Sequence, residues 1–134
     1  MYAVKDGIIP TKEQLTALYA SVGWLAYTRE PERLYRAVEQ SRTVYTVWQD
    51  EELVGLLRVV GDGEVIAYVQ DLLVQPHHQR QGLGKRLLET FREEHRHIRQ
   101  RVLLTDDQIR NRQFYEQTGW RSLEERGLLG FVDF

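Results

Sequence analysis

The sequence predicts a mixed α/β (α+β) fold on one sheet, antiparallel in its early strands and parallel where a long helix crosses over. Three observations predict it. Runs of β-branched and aromatic residues alternate with segments whose apolar residues recur at helical spacing. The prolines, Pro10, Pro31 and Pro76, fall at the boundaries between such segments. No long internal repeat or low-complexity stretch interrupts the order, so residues 1–134 read as a single domain.

The elements follow in turn. After a first strand, Pro10 leads into Thr11-Lys12-Glu13-Gln14, a capping box in which Thr11 and Gln14 exchange hydrogen bonds. Leu15, Leu18, Tyr19 and Val22 continue at helical spacing, which predicts a helix over 12–22, ended near Gly23. Pro31 suits a first helical turn, and Leu34, Tyr35 and Val38 behind it predict a second helix over 31–41. Thr43 to Trp48, the polar turn Asp50-Glu51-Glu52 and the run from Leu53 to Val60 read as a hairpin. Gly61-Asp62-Gly63 turns the chain into a third strand over 65–74, whose apolar end implies burial on both faces. An amphipathic helix over 82–96 carries Leu83, Leu87, Leu88 and Phe91 on one stripe. Val102-Leu103-Leu104 reads as a short buried strand, 109–118 as a helix closed by Gly119, and Trp120 onward with 128–134 as a closing pair of strands. The last of these, apolar from Leu128 to Val132, offers an edge for a homodimer.

Composition narrows the function. Hydrophobic residues are 42% and charged residues 28%, an ordinary globular balance. Eighteen Lys and Arg against twenty Asp and Glu leave a formal charge of −2, which argues against a general binder of nucleic acid or of a membrane surface. The absence of Cys removes thiolate catalysis, disulfides and cysteine-bound zinc. No apolar run is long enough to span a bilayer, and the start Met1-Tyr2-Ala3-Val4-Lys5-Asp6 lacks a signal-peptide pattern, so a cytoplasmic location is expected. His77-His78 and His95-Arg96-His97 lie in polar surroundings and read as solvent-exposed, with no metal expected.

The most informative segment runs from Asp71 to Leu88. A strand enters a polar loop, and Gly82 and Gly84 open a helix whose first-turn N–H groups have no internal partners and can hold an anion. Arg80, Lys85 and Arg86 place positive charge where a helix start ordinarily prefers acids. These residues serve either an anionic ligand or simply a solvated face. A P-loop is excluded, because Lys85 is followed by Arg86 rather than Ser or Thr and position 79 is not glycine. A dinucleotide fingerprint is excluded by Leu87 at its third glycine.

The segment Gln79-Arg80-Gln81-Gly82-Leu83-Gly84 resembles the Gln/Arg-x-x-Gly-x-Gly/Ala pyrophosphate loop of the GNAT superfamily of N-acetyltransferases. Phe114-Tyr115-Glu116-Gln117-Thr118-Gly119-Trp120 further along resembles that family's Phe-Tyr-Glu-x-x-Gly-Phe signature, with Trp120 in place of the Phe. The resemblance covers nearly the whole chain and implies a GNAT fold, a mixed central sheet with helices on both faces.

It implies more about the chemistry. Acetyl-CoA would lie where two neighbouring strands part, its pyrophosphate on the backbone of Gln79, Arg80, Gln81, Gly82, Leu83, Gly84 and Lys85, and its pantetheine arm beside Leu72, Leu73 and Val74. Gln108 stands where the family often has an Asn that touches the cofactor. A neutral primary amine of a small molecule or peptide would attack the thioester directly, with no metal. Tyr115 aligns with the tyrosine that protonates the CoA sulfur, or is a core tyrosine. Asp71 is the carboxylate placed to take the amine's proton, or else forms a structural hydrogen bond, the proton then leaving through water. Trp24 and Tyr27, with Tyr35, line the acceptor pocket or pack as core. A catalytically silent acyl-CoA-binding module is the alternative reading.

Overall fold

Residues 1–134 are described by a computed structural model, in which the chain forms two units, 1–104 and 105–134. In the first, strands β1 (Tyr2–Asp6), β2 (Thr43–Gln49), β3 (Glu52–Gly61), β4 (Ile66–Val74) and β5 (Gln100–Leu103) lie side by side in that order. All neighbours are antiparallel except β4 and β5. A parallel pair cannot be closed by a tight turn, and helix α4 (Leu83–Glu94) supplies the crossover.

Helices α1 (Lys12–Ser21), α2 (Leu25–Thr28) and α3 (Pro31–Glu39) fall between β1 and β2. The capping box forms as the spacing predicts: Gln14 N–H donates to Thr11 Oγ1 at 3.1 Å, and Thr11 N–H to Gln14 Oε1 at 2.9 Å. Leu15, Leu18 and Tyr19 of α1 and Leu34 and Val38 of α3 pack with Val44, Trp48, Leu56 and Leu73 of the sheet. Strand alternation sends the next residue along β2 the other way. While Val44 joins that core, the Tyr45 hydroxyl donates to Glu94 at the end of α4 at 3.0 Å, so helices cover both faces. On α4, Leu83, Leu87, Leu88 and Phe91 are buried as their stripe predicts, and truncating a side chain such as Phe91 costs about 3–5 kcal/mol.

A register shift shapes β4. Its pairing with β3 runs from Gly55 opposite Val74 to Arg58 opposite Asp71, then resumes with Val59 opposite Val69. Gln70 is therefore an extra residue, a one-residue bulge.

The second unit holds α5 (Ile109–Gln117), and its end is closed by Trp120 N–H donating to Tyr115 O at 2.9 Å across Gly119, whose φ is +94°. Here two expectations fail. The predicted closing strands from Trp120 and over 128–134 do not form: a 3-10 turn spans Glu124–Arg126, and the chain bends again where Leu128 N–H meets Leu123 O at 2.8 Å. A run of apolar residues makes a strand only when a partner strand takes its N–H and C=O groups. Leu129, Phe131 and Phe134 stay exposed, so the proposed dimer edge is not a strand edge.

Two smaller corrections concern the first unit. The short strand after α4, predicted as buried, is only partly so at Val102 and Leu103, because β5 ends the sheet. His77 and His97 are exposed, but His95 is buried, its Nδ1 2.9 Å from Phe91 O and its ring stacked on Phe91. His78 is partly buried, its Nδ1 2.9 Å from the Tyr2 hydroxyl. The four-residue α2 had no sequence signal of its own.

Candidate active site

β4 outlasts its partner. The parallel ladder with β5 ends at Val69 opposite Leu103, while β4 continues to Val74 with no strand on that side. Gln75 N–H donates to Val54 O at 2.8 Å, so by alternation Leu73 and Asp71 turn their backbone groups to β3, and Leu72 and Val74 turn theirs away. That stretch is a template for another extended chain.

The loop beyond it is set by backbone conformation. A 3-10 turn at Pro76–His78 brings Gln79 back toward the strand, where its side-chain amide donates to Val74 O at 3.0 Å. Arg80 (φ +64°) and Gly82 (φ +76°) are both left-handed, and Gly82 caps α4 without a side-chain bond. A Cβ on Gly82 would touch nothing within 4 Å, so its backbone conformation rather than crowding favours glycine. Arg86 N–H donates to Gly82 O at 3.0 Å, which leaves the N–H groups of Leu83, Gly84 and Lys85 pointing off the helix end. Buried Leu83 anchors this start, and exposed Arg80, Lys85 and Arg86 surround it with positive charge uncut by any acid in the first turn. These residues fit an extended chain that ends in a pyrophosphate. The expected residues Leu72 to Val74 and Gln79 to Lys85 all lie in the first unit, on the end of β4, the loop after it and the start of α4.

On the α1–α3 face of β4 lies a buried ion pair. Asp71, 3% exposed, accepts from Arg58 Nε at 2.8 Å and from the Tyr19 hydroxyl at 2.8 Å on Oδ2, and from the Tyr27 hydroxyl at 2.8 Å on Oδ1. Arg58 also donates to Ser41 Oγ at 3.2 Å and to the Tyr27 oxygen at 3.3 Å. Burial first, then the Asp71 charge, raise the ionisation of Tyr19 well above the usual phenol range and raise Tyr27 in the same direction. For Arg58, burial works against the charge, but Asp71 outweighs it and holds the guanidinium protonated. Trp24, Tyr27 and Tyr35 are partly buried and pack on the core cluster, with the Tyr27 ring 4.9 Å from Tyr19 and 6.2 Å from Trp24.

Arg58, Tyr19 and Gln70 were not singled out from the sequence. The signal was present: Arg58 is the one charge in the run from Leu53 to Val60, and Asp71 the one charge between Val65 and Val74. In a hairpin, two such charges become cross-strand neighbours.

The second unit holds the remaining expected residues. Gln108 is the residue before α5 and donates its N–H to Asp106 O at 2.8 Å; Asn111 reaches the same carbonyl at 3.3 Å. The Tyr115 ring meets Phe114 and Trp120 edge-on at 5.0 and 6.3 Å, and burial pushes its hydroxyl up to about 12.

Residues 10–128 match the family described as the acetyltransferase (GNAT) domain. The chain is 32% identical over 121 residues to a ycf52-like N-acetyltransferase of Prochlorococcus marinus, covering 85% of this chain and 64% of that protein, so it spans under two-thirds of that relative's length. It superimposes with a TM-score of 0.88 on a GNAT-family acetyltransferase of Streptococcus pneumoniae, at 32% identity, over 100% of this chain and 98% of that one. An aminoglycoside acetyltransferase from an uncultured soil metagenomic sample, solved with sisomicin, shares the fold at a TM-score of 0.71 and 17% identity, over 99% of this chain and 93% of that one. With a family match over nearly all of the sequence and a solved member that superimposes along its whole length, this chain belongs to the GNAT family of acetyltransferases.

Proposed function

We propose that this chain is one N-acetyltransferase domain that moves an acetyl group from acetyl-CoA to a primary amine of a small molecule or peptide, by direct attack in a ternary complex. The observation that carries the reading is the free reach of β4 from Gln70 to Val74, leading without a break into a basic loop and an uncapped helix start. An extended pantetheine arm suits the first, and a pyrophosphate suits the second.

Acetyl-CoA supplies the acyl thioester. The backbone of Leu72 and Val74 holds the arm along β4, and the N–H groups from Arg80 to Lys85 hold the anion, with Arg80, Lys85 and Arg86 adding charge. Without a cysteine in the chain, no cysteinyl acyl-enzyme can form, which supports attack by the amine itself. The amine nitrogen bonds the carbonyl carbon, the carbon–sulfur bond breaks, and the amine's proton passes to water. Tyr115, kept neutral by burial, is a hydrogen-bond and proton donor for the departing sulfur, and Gln108 an added contact to the cofactor. Trp24 and Tyr27 belong to the segment before β2 and provide an aromatic wall for the acceptor. No helix is long and apolar enough to cross a membrane, and a cysteine-free chain suits the cytoplasm, where the reading puts it.

The test is a titration of acetyl-CoA followed by CoA release over a panel of an aminoglycoside, a polyamine, an amino acid and a peptide with a free N-terminus. Saturable binding with turnover on one of these amines supports the reading. Binding with no turnover on any points instead to a silent acyl-CoA-binding module, and no binding removes the loop assignment.

A further inference from the structure

Asp71 had two expected roles, proton acceptor or structural partner, and its surroundings decide between them. Its carboxylate accepts three bonds, from Arg58, Tyr19 and Tyr27, and is nearly free of solvent. These come from β3, α1 and α2, the elements packed against it. Taking a substrate proton there would neutralise the carboxylate and leave the Arg58 guanidinium buried without its counter-ion, a costly arrangement.

The same group has another task within reach. α2 has four residues and no side-chain cap, far too short to hold its shape alone. Its polar tie to the sheet is the Tyr27 hydroxyl, which donates to Asp71 and accepts from Arg58 and from Gln70 Nε2 at 3.3 Å. Gln70 and Asp71 are consecutive, and in a regular strand they would face opposite sides. The bulge lets both reach one hydroxyl, Asp71 from the buried side and Gln70 from the exposed side. The bulge also stands where β4 leaves β5, between Val69, the last paired residue, and the free stretch to Val74.

We infer that Asp71 is a positioning residue: paired with Arg58, it pins the Tyr27 hydroxyl and so seats α2, with Trp24 at its start, on the bulge of β4, and it acts on acceptor binding rather than on the amine's proton. The catalytic part of this rests on the acetyl-transfer reading; the seating of α2 does not. Arg58 and Tyr19 complete the seat by both donating to Oδ2, the oxygen that Tyr27 leaves open.

The test uses the full chain with Tyr27→Phe and Asp71→Asn. Hydrogen exchange of the amides in α2 and α4 comes first, because it needs no substrate. Removing a hydrogen bond to a charged group predicts exchange about tenfold faster in α2 of Tyr27→Phe, with α4 unchanged. Steady-state kinetics on an accepted amine come second. Both variants are expected to raise the acceptor KM about tenfold, to keep acetyl-CoA affinity within about twofold, and to keep the acidic limb of the kcat/KM profile where the parent has it. Equal α2 exchange in Tyr27→Phe overturns the seating. Loss of the acidic limb in Asp71→Asn with an unchanged acceptor KM overturns the positioning role and makes Asp71 the base. Should Asp71→Asn not fold, the Tyr27→Phe arms stand alone and decide. A parent that binds acetyl-CoA but turns over no amine rejects the transfer reading, while the exchange result still rules on α2.

Discussion

The side-chain amide of Gln79 donates to the carbonyl of Val74 at 3.0 Å, tying the loop before α4 to the last residue of β4. The carbonyl it engages faces away from β3, on the side of the strand without a neighbour, so this bond adds to the turn at Pro76–His78 in setting how the loop meets the edge. Gln79→Ala releases it. A net hydrogen bond of ordinary strength predicts acetyl-CoA binding weakened about three- to tenfold in a calorimetric titration, with little change in thermal midpoint. Unaltered affinity would show that the turn at Pro76–His78 holds the loop unaided.

The two loop glycines are expected to respond differently. Gly82 is left-handed with open space around it, so Gly82→Ala strains the backbone and lowers stability by about 1–2 kcal/mol in denaturant unfolding. Gly84 belongs to the first turn of α4. Gly84→Val sets a branched side chain among the N–H groups proposed to meet the pyrophosphate, and acetyl-CoA affinity is expected to drop more than tenfold, with thermal unfolding of the variant measured beside it. Undiminished affinity in this variant would refute the loop assignment.

For Tyr115, a value raised to about 12 means that the hydroxyl keeps its proton at all ordinary pH. The rate profile should then show no alkaline limb from this group below about pH 11. Tyr115→Phe is expected to lower kcat about 10²-fold while acetyl-CoA affinity stays within about twofold. An equal rate would make the tyrosine a packing residue.

Tyr19 carries a stability prediction. Its folded value lies above the ordinary phenol value of about 10, so its contribution is complete below that pH and is lost as pH rises toward the folded value. Unfolding free energy should therefore fall above about pH 10. Tyr19→Phe is expected to be less stable than the parent near neutrality yet to decline more gently from about pH 10 upward, in urea titrations along that range. A parallel decline in the two proteins would exclude Tyr19 as the group responsible.

Much of this was legible in the sequence because the signals were local. Thr11 with Gln14 marks the start of α1, the stripe from Leu83 to Phe91 predicts the buried face of α4, and Gly82 announces the helix start from its neighbours alone. What escaped was long-range. Whether 128–134 forms a strand depends on a partner strand elsewhere, not on its own apolar content. The engagement of Asp71 depends on Arg58, Tyr19 and Tyr27, which are brought to it from three other elements. His95 looked like surface because its polar neighbours dominate the sequence, while the ring folds back on Phe91 one turn earlier.

The bulge at Gln70 also has a meaning for comparison across relatives. Gln70 has no partner of its own on β3, so losing it would leave the pairs on both sides in place, Val69 with Val59 and Asp71 with Arg58, and would make the strand regular between them. Asp71 could then no longer share the Tyr27 hydroxyl with its neighbour. A relative with a one-residue gap between the positions of Val69 and Asp71 would accordingly keep the pairing of its sheet and give up the Gln70 bond, leaving Asp71 and Arg58 to hold the Tyr27 hydroxyl.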